Sequence, residues 1–137
     1  MDVGEKNIGL AVSDPLGITA QPVGVIRRRS KEADVAALAS LARRYEVGKL
    51  VIGLPRHLNG TLGPEAARVR ELGELLAQSL GLPACYWDER LTTVAAERVL
   101  IAADVSRRRR RRNIDQMAAC LILQGYLDRQ RQATQNS

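Results

Sequence analysis

Phenylalanine is missing from this 137-residue chain, and tryptophan and histidine each occur once, cysteine twice and tyrosine three times. A core without phenylalanine has to be built from Val, Ile, Leu and Ala, which with the other apolar residues make up 45% of the sequence. Cys85 and Cys120 stand far apart, without CxxC spacing or a neighbouring histidine. That argues against a zinc or redox centre, and both read as buried free thiols. The single histidine, His57, falls in a loop by composition, where an isolated imidazole is more often incidental than catalytic. No apolar run approaches the length needed to span a bilayer, and no basic region followed by an apolar segment opens the chain. The expected location is therefore the cytoplasm, with no membrane partner.

Charge is abundant but unevenly placed. Of the 21 Lys and Arg residues, six are consecutive, Arg107, Arg108, Arg109, Arg110, Arg111 and Arg112; the remaining 15 balance the 15 Asp and Glu. Like charges packed this densely repel one another, so the run is expected to be a mobile loop that neutralises phosphates when nucleic acid arrives. A solvated solubility loop is the bland alternative.

The order of elements points to an α/β domain. Asp2-Val3 close a first strand, Gly4 to Asn7 make a hairpin turn and Ile8 to Ser13 a second strand, with a third around Pro22 to Arg28. Val35, Leu38, Leu41, Ala42 and Tyr45 recur at helical spacing within Lys31 to Glu46, ahead of a short strand from Lys49 to Leu54. Pro55 to Gly63 reads as a loop, and Pro64 opens a helix to about Leu80. A fifth strand spans Ala84 to Asp88, and a third helix capped by Thr92 or Thr93 runs to about Ala103. The last helix is expected from Asn113, which has capping-box spacing to Gln116. The prediction is a mixed five-stranded sheet flanked by helices in a domain of residues 1–130, with a frayed polar tail over 131–137.

Three acidic sites stand out: Asp2 at the end of an apolar strand, Asp88-Glu89 after the fifth strand, and Asp115 near the start of the last helix. If they converge, they make an oxygen-lined site suited to Mg²⁺ or Mn²⁺ and to phosphodiester hydrolysis. Each has a plain rival. The helix dipole favours an acidic residue at Asp115, Asp88-Glu89 can be an ordinary strand end, and Asp2 with Gly4 can be turn chemistry. Successive strand residues face opposite ways, so only one of Asp88 and Glu89 should enter the site.

The segments D-V-G-E-K-N-I-G-L-A-V-S-D-P, G-L-P-R with N-G-T, D-E-R-L-T-T and I-D-Q-M-A-A-C-L-I-L-Q-G-Y-L-D, in that order from Asp2 to Asp128, resemble the YqgF-type, Holliday-junction-resolvase-like family, also described as nucleases for the precursor of small-subunit ribosomal RNA. The resemblance implies a ribonuclease H-like fold and a metal-dependent nuclease with Asp2, Glu89 and Asp115 as catalytic and metal-binding residues. Asp2 is then expected to bridge two ions and the others to complete one shell each. Where the family carries several apolar residues ahead of the aspartate, only Met1 stands here. That is expected to shorten the strand and bring the terminal ammonium close to the metal site.

Lys6, Arg56, Asn59, Thr61 and Arg90 are candidate phosphate or sugar contacts together with the arginine run, and Thr92 can either orient Glu89 or cap a helix. The expected substrate is structured RNA of the ribosomal precursor, with branched DNA as the second enzyme reading. Paired cuts on a four-way junction need two symmetric sites, and the sequence leaves monomer and homodimer equally open. A noncatalytic nucleic-acid-binding module is the reading from another class. An actin or sugar-kinase type of phosphotransferase needs a second lobe that 137 residues cannot supply.

Overall fold

The computed structural model of the chain describes residues 1–55, 59–89 and 107–135, and for 107–113 the backbone alone. Five strands and three helices follow in the order β1 (Asp2–Val3), β2 (Asn7–Ser13), β3 (Ala20–Arg27), α1 (Lys31–Arg44), β4 (Leu50–Leu54), α2 (Pro64–Leu80), β5 (Ala84–Asp88) and α3 (Arg107–Gln135). The helix expected between Thr92 and Ala103 lies outside the described residues.

Local chemistry accounts for most of the boundaries. Ser30 caps α1 by accepting the Ala33 N–H, and Glu32 and Asp34 sit in its first turn where the helix dipole favours acids. Pro64 occupies the first turn of α2, where its missing N–H costs nothing. Gly81, at φ 65°, ends that helix in the left-handed conformation, and Leu82 N–H reaches back to Ala77 O.

The sheet departs from the expectation. The strands form a three-stranded antiparallel sheet, β1-β2-β3, and a separate parallel pair, β4-β5, instead of one five-stranded sheet. Among the described residues, Met1 makes the backbone bonds between the two. Its amino nitrogen donates to Val51 O at 2.5 Å and its carbonyl accepts the Gly53 N–H at 3.0 Å. One bridging residue aligns β1 with β4 in the parallel sense but does not make a ladder.

Residue alternation along the strands separates two layers. Val3, Ile8, Ile52 and Leu54 turn toward α1 and α2, where they pack with Leu38, Val69, Leu72 and Leu76. On the opposite face Trp87 packs with Ala118 and Ile122 of α3, with Val51 and Leu121 against them. Ile8, Ile52 and Ile122 are fully buried.

α3 overturns two expectations. The arginine run forms the opening turns of this 29-residue helix and not a loop, and the expected tail is helical through Gln135. Arginine and glutamine are good helix formers. A helix already held by Ala118, Ala119 and Ile122 in the core extends in both directions at little further cost, because propagation is cheaper than nucleation. Cys85 and Cys120 are free, as expected, but half-buried rather than buried.

Candidate active site

Strand alternation places the candidate carboxylates. Val3 faces α1 and α2, so its neighbour Asp2 points to the face covered by α3, where it is 4% exposed. On β2, Ile8 faces α1 and α2, and Gly9, which pairs with Asp2, faces α3. A Cβ on Gly9 would collide with the backbone carbonyl of Asp115. The absence of a side chain there lets α3 lie directly on β2 beside Asp2. Trp87 faces α3, and Glu89, two residues on, follows it. Its Oε1 lies 2.9 Å from where a Cβ of Gly53 would stand, next to Ile122 of α3.

Asp2, Glu89 and Asp115 are thus carried by β1, the end of β5 and α3 to the same side of the sheet. Asp88, in register with Leu54, has the opposite parity. Of the pair, Glu89 is the one on the side of the strands that α3 covers.

Asp115 also loses its plain explanation. Because α3 starts at Arg107, Asp115 is in the third turn, and no acidic residue occupies the first. Neither a dipole interaction nor the expected capping box of Asn113 and Gln116 accounts for an aspartate there, since dipole effects fade within one turn.

Burial pushes the Met1 amino group from its ordinary 8.0 down to about 6, while Asp2 and, in decreasing measure, Cys85, Cys120 and Glu89 pull it back up. The Met1 nitrogen is enclosed and bonded to Val51 O. Burial likewise raises the Cys85 and Cys120 thiols, so neither is an activated nucleophile.

The donor chemistry of Asp2, Glu89 and Asp115, oxygen alone, fits a hard divalent cation. Among the described residues, however, no group of three His, Cys, Asp or Glu side chains is arranged to hold a metal ion. The carboxylates share a face without forming a ready coordination shell.

The other candidates scatter. Lys6 is exposed in the β1-β2 turn. Asn59 and Thr61 are exposed and engage each other, the Thr61 N–H and hydroxyl both donating to Asn59 Oδ1, at 3.1 and 2.7 Å, which is turn chemistry. Arg56, His57, Arg90 and Thr92 lie outside the described residues, as do the side chains of Arg107 to Arg112.

Sequence reading missed Gly9 and Gly53, although glycine inside a strand is a signal of close approach. It also missed the grouping of Arg27, Arg28, Arg29 and Lys31, which the segment R-R-R-S-K announces as a local excess of positive charge.

The chain is thus a mixed α/β domain in which Asp2, Glu89 and the α3 residue Asp115 belong to elements that meet on one side of the strands. The profile of the RuvX family, described as Holliday junction resolvase, matches residues 1–129, and the chain belongs to that family. It is 62% identical over 129 residues to a protein of Moorella thermoacetica named "Putative pre-16S rRNA nuclease", covering 94% of this chain and 92% of the relative. Relatives of the same name in Symbiobacterium thermophilum and Myxococcus xanthus are 61% and 55% identical over 128 and 131 residues. They cover 93% and 96% of this chain, and the matches span 89% and 87% of the relatives. Among the described residues no helix is long and apolar enough to cross a membrane.

Proposed function

We propose that this protein is a metal-dependent nuclease that hydrolyses phosphodiester bonds in 5′-end maturation of the 16S ribosomal RNA precursor. The observation that carries the reading is that Asp2 and Glu89 lie on the face of the strands that α3 covers and that Asp115 of α3 meets that face at Gly9, with two glycines clearing the space between the carriers. Support for the RNA substrate comes from the relatives' name.

Asp2, Glu89 and Asp115 would hold Mg²⁺ or Mn²⁺, which when bound supplies an acidified water and neutralises charge on the phosphate. Three carboxylates on one face repel each other, and a divalent cation reverses the sign of that interaction. Asp2, nearly excluded from solvent, acts in the least screened position and fixes where the site forms. Glu89 enters over Gly53, where its carboxylate is free of a blocking Cβ, and Asp115 is set by the backbone contact of α3 with Gly9. Lys6 stands beyond the end of β1 as a cation for substrate phosphate.

The test is cleavage of a 16S precursor RNA and a four-way DNA junction with Mg²⁺ and with Mn²⁺, by the wild type and by Asp2→Asn. RNA cleavage lost in the variant is the expected result, and no cleavage of either substrate by the wild type overturns the reading. Resolution of branched DNA is the second reading, favoured by the family's description as a Holliday junction resolvase. Paired, symmetric cuts on the junction by a stable dimer would establish it in place of RNA processing.

A further inference from the structure

β1, β4 and β5 run in the same direction, and β3, antiparallel to β2, runs with them. Their carboxyl ends therefore lie along one edge, the place where open α/β sheets gather ligands. The acidic groups occupy the β1 and β5 part of this edge. At the β3 part, between the β1-β2 turn and the start of α1, lies a cleft of about 460 Å³. Lys6, Arg27, Arg28, Arg29 and Lys31 line it, against only two carboxylates, Glu5 and Asp34.

The cations divide by task. Arg28 is half-buried and structural: Nη1 donates to Gly4 O at 3.2 Å, Nε lies 3.5 Å from the buried Asp34 carboxylate, and its backbone N–H donates to Lys6 O. Asp34 also accepts the Arg29 N–H at 3.0 Å, so the turn and the helix start are tied together. Lys31 is engaged with Glu71 at 2.5 Å. Lys6, Arg27 and Arg29 are exposed, and among the described residues no carboxylate pairs with any of them.

Three uncompensated cations held beside one another repel in the free protein and are relieved by a polyanion. Their position selects which one. Ile26 faces α1 and α2, so Arg27 points to the same face as Asp2. In the paired strands Asp2 stands opposite Gly9 and Gly9 opposite Val25, with Arg27 two residues further along. Standard strand spacings then put Arg27 roughly 12 Å from Asp2, a span of about three to four phosphates at 3.4 Å of helix rise each.

The geometry points to a docking track: Lys6, Arg27 and Arg29 grip the sugar–phosphate backbone of a nucleic-acid stem a few nucleotides from the bond that lies over Asp2. This rests on the nuclease reading for its substrate. The acidic face repels the backbone when no metal is bound, and the track holds it in place from one side. Phosphate contacts of this kind position the substrate without reading its sequence.

The test is the salt dependence of binding to a labelled RNA hairpin and to a four-way DNA junction, measured by fluorescence anisotropy in EDTA so that no cleavage intervenes. For Arg27→Gln/Arg29→Gln, the slope of log affinity against log salt should fall by about 1 to 2, near 0.9 for each lost phosphate contact on a duplex. Arg27→Lys/Arg29→Lys should restore it, which a merely misfolded variant would not do. Asp2→Asn should keep the wild-type slope. A change confined to one of the two probes identifies the backbone that the track accepts. Wild-type affinity and slope in the glutamine variant on both probes would overturn the inference. The nuclease reading fails separately, by absence of cleavage from the wild type with metal present.

Discussion

The two halves of the carboxyl edge are built in opposite ways. On the acidic half Asp2 is 4% exposed, and its setting is backbone against backbone: β1 on β2, and α3 pressed onto Gly9. On the basic half Lys6, Arg27 and Arg29 are exposed side chains above a scaffold stapled by Arg28 and Asp34. On the proposed reading, the groups that would meet a reacting phosphate are placed by the core, while those that would hold a flexible polyanion are left on long stems in water. Changes to the first half should therefore alter rate and fold, and changes to the second should alter affinity and its salt dependence.

The sharpest way to break this division is at the carboxylates. Asp2→Asn, Glu89→Gln and Asp115→Asn should each lower metal-dependent cleavage by at least about a hundredfold, some 2.7 kcal/mol of barrier. Binding to an RNA hairpin in EDTA should persist in all three. A variant that keeps the full rate removes its residue from the mechanism.

Next in size is the packing that sets these groups. In Gly9→Ala the new methyl meets the Asp115 carbonyl, which cannot rotate aside, so α3 must move. A loss of about 1 to 3 kcal/mol in denaturant unfolding is expected, as for overpacking elsewhere. Gly53→Ala meets the side-chain ends of Ile122 and Glu89 and not backbone, and should cost less stability while still impairing cleavage. Gly48→Ala, which opens into free space, is the matched control and should be silent. Equal losses at Gly9 and Gly48 would show that close approach is not what Gly9 provides.

Much of this was legible in the sequence, because it is local. The strands Asp2–Val3 and Ala84–Asp88 and the helix Pro64–Leu80 follow from alternation, helical spacing and proline position. That Asp88 and Glu89 face opposite ways was legible from strand alternation, and the structure adds which face α3 covers. What escaped was nonlocal. The sheet divides because, among the described residues, the backbone bonds between the β1 and β4 segments are those of Met1, and no pattern within either strand records the strength of that seam. The arginine run was read from its repulsion, whereas the core contacts of Ala118 and Ile122 far along the helix decide its backbone. Asp115 moved from a first turn to a third for the same reason. The basic cleft was missed because the hairpin brings Lys6 to Arg28 across more than twenty residues of chain.

A subtler division concerns the two arginine-rich segments. Replacing Arg107 to Arg112 with glutamine preserves helix propensity and removes charge. The expected result is weaker binding and a flatter salt slope, by up to about 0.9 for each arginine that meets a phosphate on a duplex, with the single-turnover rate at saturating substrate little changed. Combined with Arg27→Gln/Arg29→Gln, the slopes should add if the two segments grip different phosphates. An unchanged slope in the glutamine run would make that segment a bystander.

The smallest expected effect tests the far edge of the sheet, away from both halves. At the β2-β3 turn the Asp14 carboxylate accepts the Ile18 N–H at 2.9 Å, the Thr19 N–H at 3.0 Å and the Thr19 hydroxyl at 2.7 Å. These bonds, the Ile18 one foremost, hold its pKa below the ordinary 3.8. The folded chain then binds fewer protons than the unfolded one just below that pH, so the contribution to stability is present above 3.8 and is lost as pH falls through the lowered folded value. Asp14 is half-buried, and all of these bonds close within the turn, which confines the effect to it. The amide shifts of Ile18 and Thr19 should titrate together with a midpoint below 3.8, and Asp14→Asn should abolish that titration. Cleavage at neutral pH should be untouched by this variant. The turn sits at the end of the β2-β3 hairpin opposite Lys6 and Arg27, and a register held by seven residue pairs between them does not depend on how the loop closes.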